Sequence, residues 1–174
     1  MQVKLNIFLK ITGTRGNYHE ISSRFILYKS LFDKIYFEKS EFQHSGEDLN
    51  IISNIKINGE NIINKAFKEL LKTKFKDKIS DFFKTHKVIL EKNIPMGAGL
   101  GGGSSNAAAF LNLTDQTLNL NFSKKELIEI SKNIGSDVAF FITEFESANV
   151  SGVGEIVENF NRSEEHTSEL QSRT

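Results

Sequence analysis

Residues 3–11 alternate without a break. Val3, Leu5, Ile7, Leu9 and Ile11 fall on one side of an extended chain, and Lys4, Asn6, Phe8 and Lys10 on the other. A period of two predicts a strand. Residues 12–17, with Gly13 and Gly16, predict a turn. Residues 23–28 and 34–38, rich in Phe, Ile and Tyr, predict two more strands, and 49–57 another. The period then changes. Asn61 is a good N-cap, and Ile62, Ile63, Ala66, Phe67, Leu70 and Leu71 form a helical stripe behind it. Residues 87–91 predict a strand, and a helix runs from Ser104 to about residue 113. Ser123-Lys124-Lys125-Glu126 is a capping box that opens a helix with Leu127, Ile130 and Ile134 inward, stopped at Gly135. An apolar run at 138–142 follows, then two short strands in 148–157 joined across Gly152 to Gly154. Strands first, then strands mixed with helices, predict an α+β domain with a mixed sheet and helices on one face.

Composition narrows the function. A chain of 174 residues fits one domain with a proper core. Lys+Arg and Asp+Glu both number 22, so no net field favours nucleic acid or an acidic membrane. Cysteine is absent, which excludes disulfides and thiolate metal sites, and the four histidines lack metal-ligand spacing. No apolar run approaches about 18 residues and no secretory signal opens the chain. A cytoplasmic soluble protein is the expectation.

The chemistry concentrates in Pro95-Met96-Gly97-Ala98-Gly99-Leu100-Gly101-Gly102-Gly103-Ser104-Ser105. Five glycines in seven residues permit positive φ and a close approach to a ligand, and successive N–H groups there form an anion nest. The loop runs straight into the N-terminus of an Ala-rich helix, whose first donors are unpaired and whose dipole end is positive. A flexible linker would not sit between a strand and an apolar helix without a spacer. Gly97-x-Gly99-x-x-Gly102 fits the dinucleotide pattern formally, but Asn93-Ile94-Pro95-Met96 stand between it and its strand. Gly103 stands where the other common phosphate loop has lysine.

These residues resemble the ATP-binding loop of the GHMP kinases, Pro-x-x-x-Gly-Leu-Gly-Ser-Ser-Ala. The resemblance covers nearly all of 1–161. Lys4-Leu5-Asn6-Ile7-Phe8-Leu9, Asn17-Tyr18-His19, Glu60-Asn61-Ile62-Ile63-x-x-Ala66, Gly135-Ser136-Asp137-Val138-x-Phe140-Phe141 and Gly152-Val153-Gly154-Glu155 match family blocks in order. Val3, Asn17 and Ala139 depart from the usual Ala, Gly and Pro, and none of them removes a functional group. The triple glycine and Tyr18-His19 are similar to the branch that phosphorylates the 2-hydroxyl of 4-diphosphocytidyl-2-C-methyl-D-erythritol in non-mevalonate isoprenoid synthesis. The implied fold is the GHMP kinase N-terminal domain, of the ribosomal protein S5 domain 2-like kind.

The resemblance also implies roles. Asp137 and Lys4 would be the catalytic pair. Pro95 to Ser105, with Asn61 and Ile62, would bind ATP. Asn6, Tyr18 and His19 would bind the cytidyl substrate, Tyr18 by stacking on the base and His19 through its backbone. Mg²⁺ would accompany ATP, with Ser105 a candidate ligand. Each residue has a plainer explanation. Asp137 and Asn61 suit helix N-caps, Lys4 the solvated face of an edge strand, and Tyr18-His19 a surface turn. Two other functions stay open. One is a sister kinase acting on a sugar or mevalonate-type alcohol. The other is a non-catalytic module of the same fold that binds RNA, against which the neutral charge argues.

Residues 162–174 change character. They lack the Lys, Asn, Ile and Phe that crowd the rest, and they hold two of the four arginines. Arg162 to Ser172 resembles the in-frame translation of a common sequencing-adapter oligonucleotide. The expectation is a non-native, disordered tail on a GHMP N-terminal domain, with the family's second domain missing, an apolar face uncovered and the fragment inactive by itself.

Overall fold

The computed structural model describes residues 2–44, 47–57 and 59–160. The expectation for 162–174 lies outside the described residues. The elements in order are β1 (Gln2–Arg15), β2 (Tyr18–Phe32), β3 (Lys34–Lys39), β4 (Ile51–Ser53), α1 (Ile62–Leu70), α2 (Lys76–Thr85), β5 (His86–Glu91), α3 (Gly102–Leu118), α4 (Lys124–Ser131), α5 (Val138–Thr143), β6 (Ser147–Gly152) and β7 (Ile156–Asn159).

The strands form two sheets. An antiparallel sheet has the order β1-β2-β6-β7, and a mixed sheet has the order β3-β5-β4, with β4 parallel to β5. β1 and β2 are one long hairpin, so residues 12–15 are strand and the turn is confined to Gly16-Asn17. β2 runs well past the predicted 23–28, while β4 keeps only three residues of the predicted 49–57. α2 has no counterpart among the predicted elements, although Phe75, Ile79, Phe82 and Phe83 have helical spacing. α3 begins two residues before Ser104 and runs five past 113.

Each sheet has its own core. Ile63, Leu70, Ile79, Phe83, Val88, Leu90, Phe110 and Leu111 belong to the larger one, between the mixed sheet and helices α1 to α4. Phe25, Phe140, Ala148 and Val150 form the smaller one, where α5 packs on the antiparallel sheet. Phe141 touches both. Capping follows the predicted chemistry at two helices. The Asn61 side chain accepts from the Ile63 N–H, and Ser123 and Glu126 make both bonds of the capping box. No described helix is long and apolar enough to cross a membrane.

β1 overturns one expectation. Lys4 is buried, at 6% exposure, whereas Ile7, Leu9 and Ile11 on the apolar row are about 60% exposed. Register shifts at Asn6/Phe8 and Ile11/Gly13 mark bulges that interrupt the alternation. At the Lys4 end the strand is covered by the glycine loop, and further along nothing among the described residues packs on the aliphatic row.

Phe110 is fully buried against the rings of Phe37 and Phe83. Urea unfolding is expected to show Phe110→Ala losing about 3–5 kcal/mol and Ser123→Ala, which removes only a cap, about 1 kcal/mol. Equal losses would place the ring outside the core.

Candidate active site

The glycine loop gets its shape from its backbone. Gly97, Gly99 and Gly101 have φ of 74°, 72° and 70°, in the left-handed region that an L side chain rarely adopts. At Gly101 space is tight as well. A Cβ there would meet Lys4 Cγ at 3.0 Å and the Phe141 ring at 3.1 Å, and at Gly102 it would meet Ile94 Cγ2 at 2.7 Å. The loop therefore lies against β1 and α5. The Lys4 N–H donates to the Leu100 carbonyl at 3.0 Å and secures that contact. α3 starts directly from Gly101 with no side-chain cap, unlike α1 and α4. Its first N–H groups face a cleft of about 320 Å³ lined by Pro95 to Ser104, Asn61, Ile62, Lys92 and Asn106. The Asn106 Oδ1 is buried without a hydrogen-bond partner.

The entrance to the loop is clamped. Asp33, fully buried between β2 and β3, accepts from the Asn93 N–H at 2.7 Å and the Ile94 N–H at 2.8 Å. Its other oxygen meets Lys92 Nζ at 2.5 Å. The Asn54 side chain holds both the N–H and the carbonyl of Lys92. Sequence reasoning missed Asp33 and Lys92. A lone acid between two strands and a lysine at a strand end look like ordinary surface positions, and only the fold buries them.

Lys4 and Asp137 come together from opposite ends of the chain, with Nζ 3.3 Å from Oδ2. Lys4 Nζ also donates to Asn6 Oδ1 at 2.5 Å and lies 4.2 Å from the centre of the Phe25 ring. Asn6 in turn donates to Ser23 Oγ. Asp137 occupies the N-cap position of α5, but its backbone is helical and its side chain makes no capping bond. The carboxylate is turned to the lysine instead, which sets aside the N-cap explanation. Sequence reasoning does cover Lys4, Asn6 and Asp137, and all three share one contact group.

A second cleft, about 560 Å³, is lined by Arg15, Tyr18, Lys65, Gly135, Ser136, Val153 and Glu155, among others. Tyr18 stands at its wall, 66% exposed. His19 is exposed opposite Thr14 in the hairpin and lines none of the clefts described here. Ser105 is buried and lines a third cavity on another side of α3, with Phe140 and Phe141, while Ser104 faces the glycine loop. Neither Lys4 nor Asp137 lines the cleft of the glycine loop or that of Tyr18, but a neighbour of each does. Gly101 of the first touches Lys4, and Ser136 of the second precedes Asp137. Among the described residues no group of three or more His, Cys, Asp or Glu side chains could hold a metal.

Residues 61–144 match the family described as GHMP kinases N terminal domain. The 4-diphosphocytidyl-2-C-methyl-D-erythritol kinase of Campylobacter jejuni subsp. jejuni serotype O:6 is 49% identical over 158 residues, covering 90% of this chain and 61% of that protein. The protein of the same name from Sulfurimonas denitrificans is 47% identical over 163 residues, covering 90% and 59%. A crystal structure of 4-(cytidine 5'-diphospho)-2C-methyl-D-erythritol kinase superposes with a TM-score of 0.67 at 28% identity, over 91% of this chain and 53% of that one. Mevalonate kinase from Methanococcus jannaschii shares the fold, with a TM-score of 0.58 at 15% identity over 92% of this chain and 54% of that one. The chain thus spans about three fifths of the length of the curated relatives it matches.

Gly97 and Gly101 have the same kind of φ, but a Cβ at Gly97 would meet nothing within 4 Å. Gly97→Ala and Gly101→Ala are each expected to lose about 1 kcal/mol from backbone strain. Only Gly101→Ala, which displaces Lys4, is expected to weaken binding of a non-hydrolysable ATP analogue by about tenfold or more, measured by titration calorimetry. Equal affinities for the two variants would show that the contact with Lys4 does not shape the cleft.

Proposed function

We propose that this chain, which carries the GHMP kinase N-terminal domain, serves an ATP-dependent kinase that phosphorylates the 2-hydroxyl of 4-diphosphocytidyl-2-C-methyl-D-erythritol. The observation that carries the reading is the Lys4–Asp137 pair, set beside one residue of each of two clefts, one walled by a phosphate-type loop and the other by Tyr18. The names of the relatives at 47–49% identity supply the substrate.

In this reading the ATP phosphates lie on the N–H groups of the loop and on the start of α3, with the γ-phosphoryl group directed at Lys4. The adenine side belongs to Asn61 and Ile62, which line the same cleft. Asn61 keeps its capping bond while doing so. The cytidyl group stacks on Tyr18, next to backbone groups of His19, and Asn6 orients the acceptor end. Asp137 takes the proton of the attacking hydroxyl, the new O–P bond forms, and the bond to the β–γ bridging oxygen breaks, leaving ADP with the electron pair. The Lys4 ammonium balances the charge that develops on the transferred group. Mg²⁺ would enter with the nucleotide phosphates and neutralise part of their charge. Of the carboxylates, Glu60 lines the glycine-loop cleft, whereas Ser105 faces another cavity.

The test is a panel of acceptors with labelled ATP, run on the protein at its natural length. Transfer to the cytidyl substrate alone is expected. Transfer to mevalonate or a sugar instead would favour a sister kinase, and no transfer with tight RNA binding would favour the non-catalytic module. In the same assay Asp137→Asn is expected to lower kcat by about 10²–10⁴-fold, with affinity for the ATP analogue retained. Unchanged turnover would remove Asp137 as the base.

A further inference from the structure

The turn between β6 and β7 borders the Tyr18 cleft, and three unusual contacts meet there. Gly154 has φ of 111°, and a Cβ on it would lie 2.6 Å from the Ser136 carbonyl oxygen and 2.9 Å from Ser136 Cβ. The turn is thus pressed against the residue that precedes Asp137. Glu155 folds its side chain back over the turn. Its Oε2 accepts from the Val153 N–H at 2.6 Å, and a Cβ on Gly152 would meet this carboxylate at 2.7 Å. The other oxygen, Oε1, lies 2.8 Å from Arg15 Nη1. Arg15 ends β1, three residues before Tyr18, and its Nε and Nη2 reach Glu20 at 3.0 and 2.8 Å. One guanidinium therefore ties the tip of the β1–β2 hairpin to the β6–β7 turn.

We infer that this clamp, Arg15 with Glu155 on the Gly152–Glu155 turn, positions Tyr18 and Asp137 relative to each other and so sets the geometry of the acceptor cleft. Arg15 and Glu155 are positioning residues. The inference rests on the reading of that cleft as the acceptor site. Tyr18 reaches the cleft from the hairpin and Asp137 from the α4–α5 turn; the β2–β6 ladder ends at Ile21 opposite Gly152 and reaches neither of them. The clamp is the cross-brace, and Arg15, Tyr18, Ser136, Val153 and Glu155 all line the same cleft. The pair is also well made. Burial pushes the Glu155 carboxyl up, but the backbone N–H donors and Arg15 outweigh it and hold it below its ordinary value. The Glu155 side chain is only 17% exposed. Arg15 is more open, at 56%, so the pair adds little to global stability. Its effect is local, on an aromatic wall and a carboxylate that must lie at a fixed spacing.

Wild type, Arg15→Gln, Arg15→Lys and Glu155→Gln separate this role from direct ligand contact. Three quantities are measured on the chain: affinity for cytidine 5'-diphosphate, affinity for a non-hydrolysable ATP analogue, and amide hydrogen exchange at Ser136 and Asp137. Both glutamine variants are expected to bind cytidine diphosphate about tenfold more weakly, with the ATP analogue within about twofold. Exchange at the two amides speeds up in both, because the brace on that segment is released. Arg15→Lys keeps a cation and is expected to recover most of the affinity. If Arg15 instead bound a ligand phosphate directly, Glu155→Gln would free it and tighten cytidine diphosphate, and that result overturns the clamp. Parallel loss of both nucleotides overturns it too, as a purely structural effect. A wild type that binds the ATP analogue but no cytidine nucleotide removes the acceptor reading while leaving the exchange data to decide. Faster exchange in both glutamine variants then supports the clamp, and unchanged exchange overturns it. If the glutamine variants fail to fold, Gly154→Ala keeps both charges and pushes on Ser136. Weakened cytidine diphosphate binding in that variant supports the clamp, and unchanged binding overturns it.

Discussion

Everything at the site depends on one close approach, that of the Gly101 backbone to Lys4 and Phe141. A Cβ between them would have to push its neighbours aside by a few tenths of an ångström. Because the loop can come this near, the Leu100 carbonyl reaches the Lys4 N–H and the start of α3 is fixed to β1. The same contact covers Lys4, and that explains a buried lysine on an edge strand. A covered ammonium needs compensation. It receives it from Asp137, Asn6 and the face of Phe25. Glycine, burial and ion pair are thus successive consequences of one steric fact.

How far this was legible in the sequence varies with the range of the interactions. Local chemistry was readable. The Asn61 cap, the Ser123–Glu126 box and the glycine loop announce themselves in a few adjacent residues, and the structure has all three. Long-range consequences were not. The alternation of β1 points Lys4 outward and Ile7, Leu9 and Ile11 to a common face. Bulges and the packing of the loop reverse the burial at Lys4 and leave the aliphatic row open. A strand pattern reports two faces but not which of them is covered. Tyr18 and His19, adjacent in one motif, go separate ways because successive residues of a strand alternate sides. The division into two sheets was invisible for a similar reason. It hinges on Asp33, a single residue between β2 and β3 whose carboxylate is spent on the next sheet's loop.

The Asp33–Lys92 pair shows what the loop requires beneath it. A buried ion pair rarely contributes much net stability, because desolvation cancels most of the attraction. This one also satisfies two backbone N–H groups at the point where β5 turns into the loop. Replaced by apolar residues, those donors would be buried without partners, a larger penalty than the pair itself removes. The pair therefore keeps the loop's entry in register while its glycines remain free to take positive φ further along.

Charge at the site follows from this arrangement. The chain as a whole carries no net charge, and each cation near the loop brings its own carboxylate, Lys4 with Asp137 and Lys92 with Asp33. What remains unbalanced is the backbone itself: the uncapped first turn of α3 and the N–H groups of the glycine loop. The loop thereby offers backbone donors to the cleft in place of unpaired cationic side chains. A long anionic polymer gains little from donors set in a cleft, whereas a compact polyanion that fits inside gains from all of them. The paired lysines then act at short range. In the proposed reading, a ligand oxygen that approaches Lys4 competes with Asp137 for the same ammonium, which couples the nucleotide side of the site to the acceptor side.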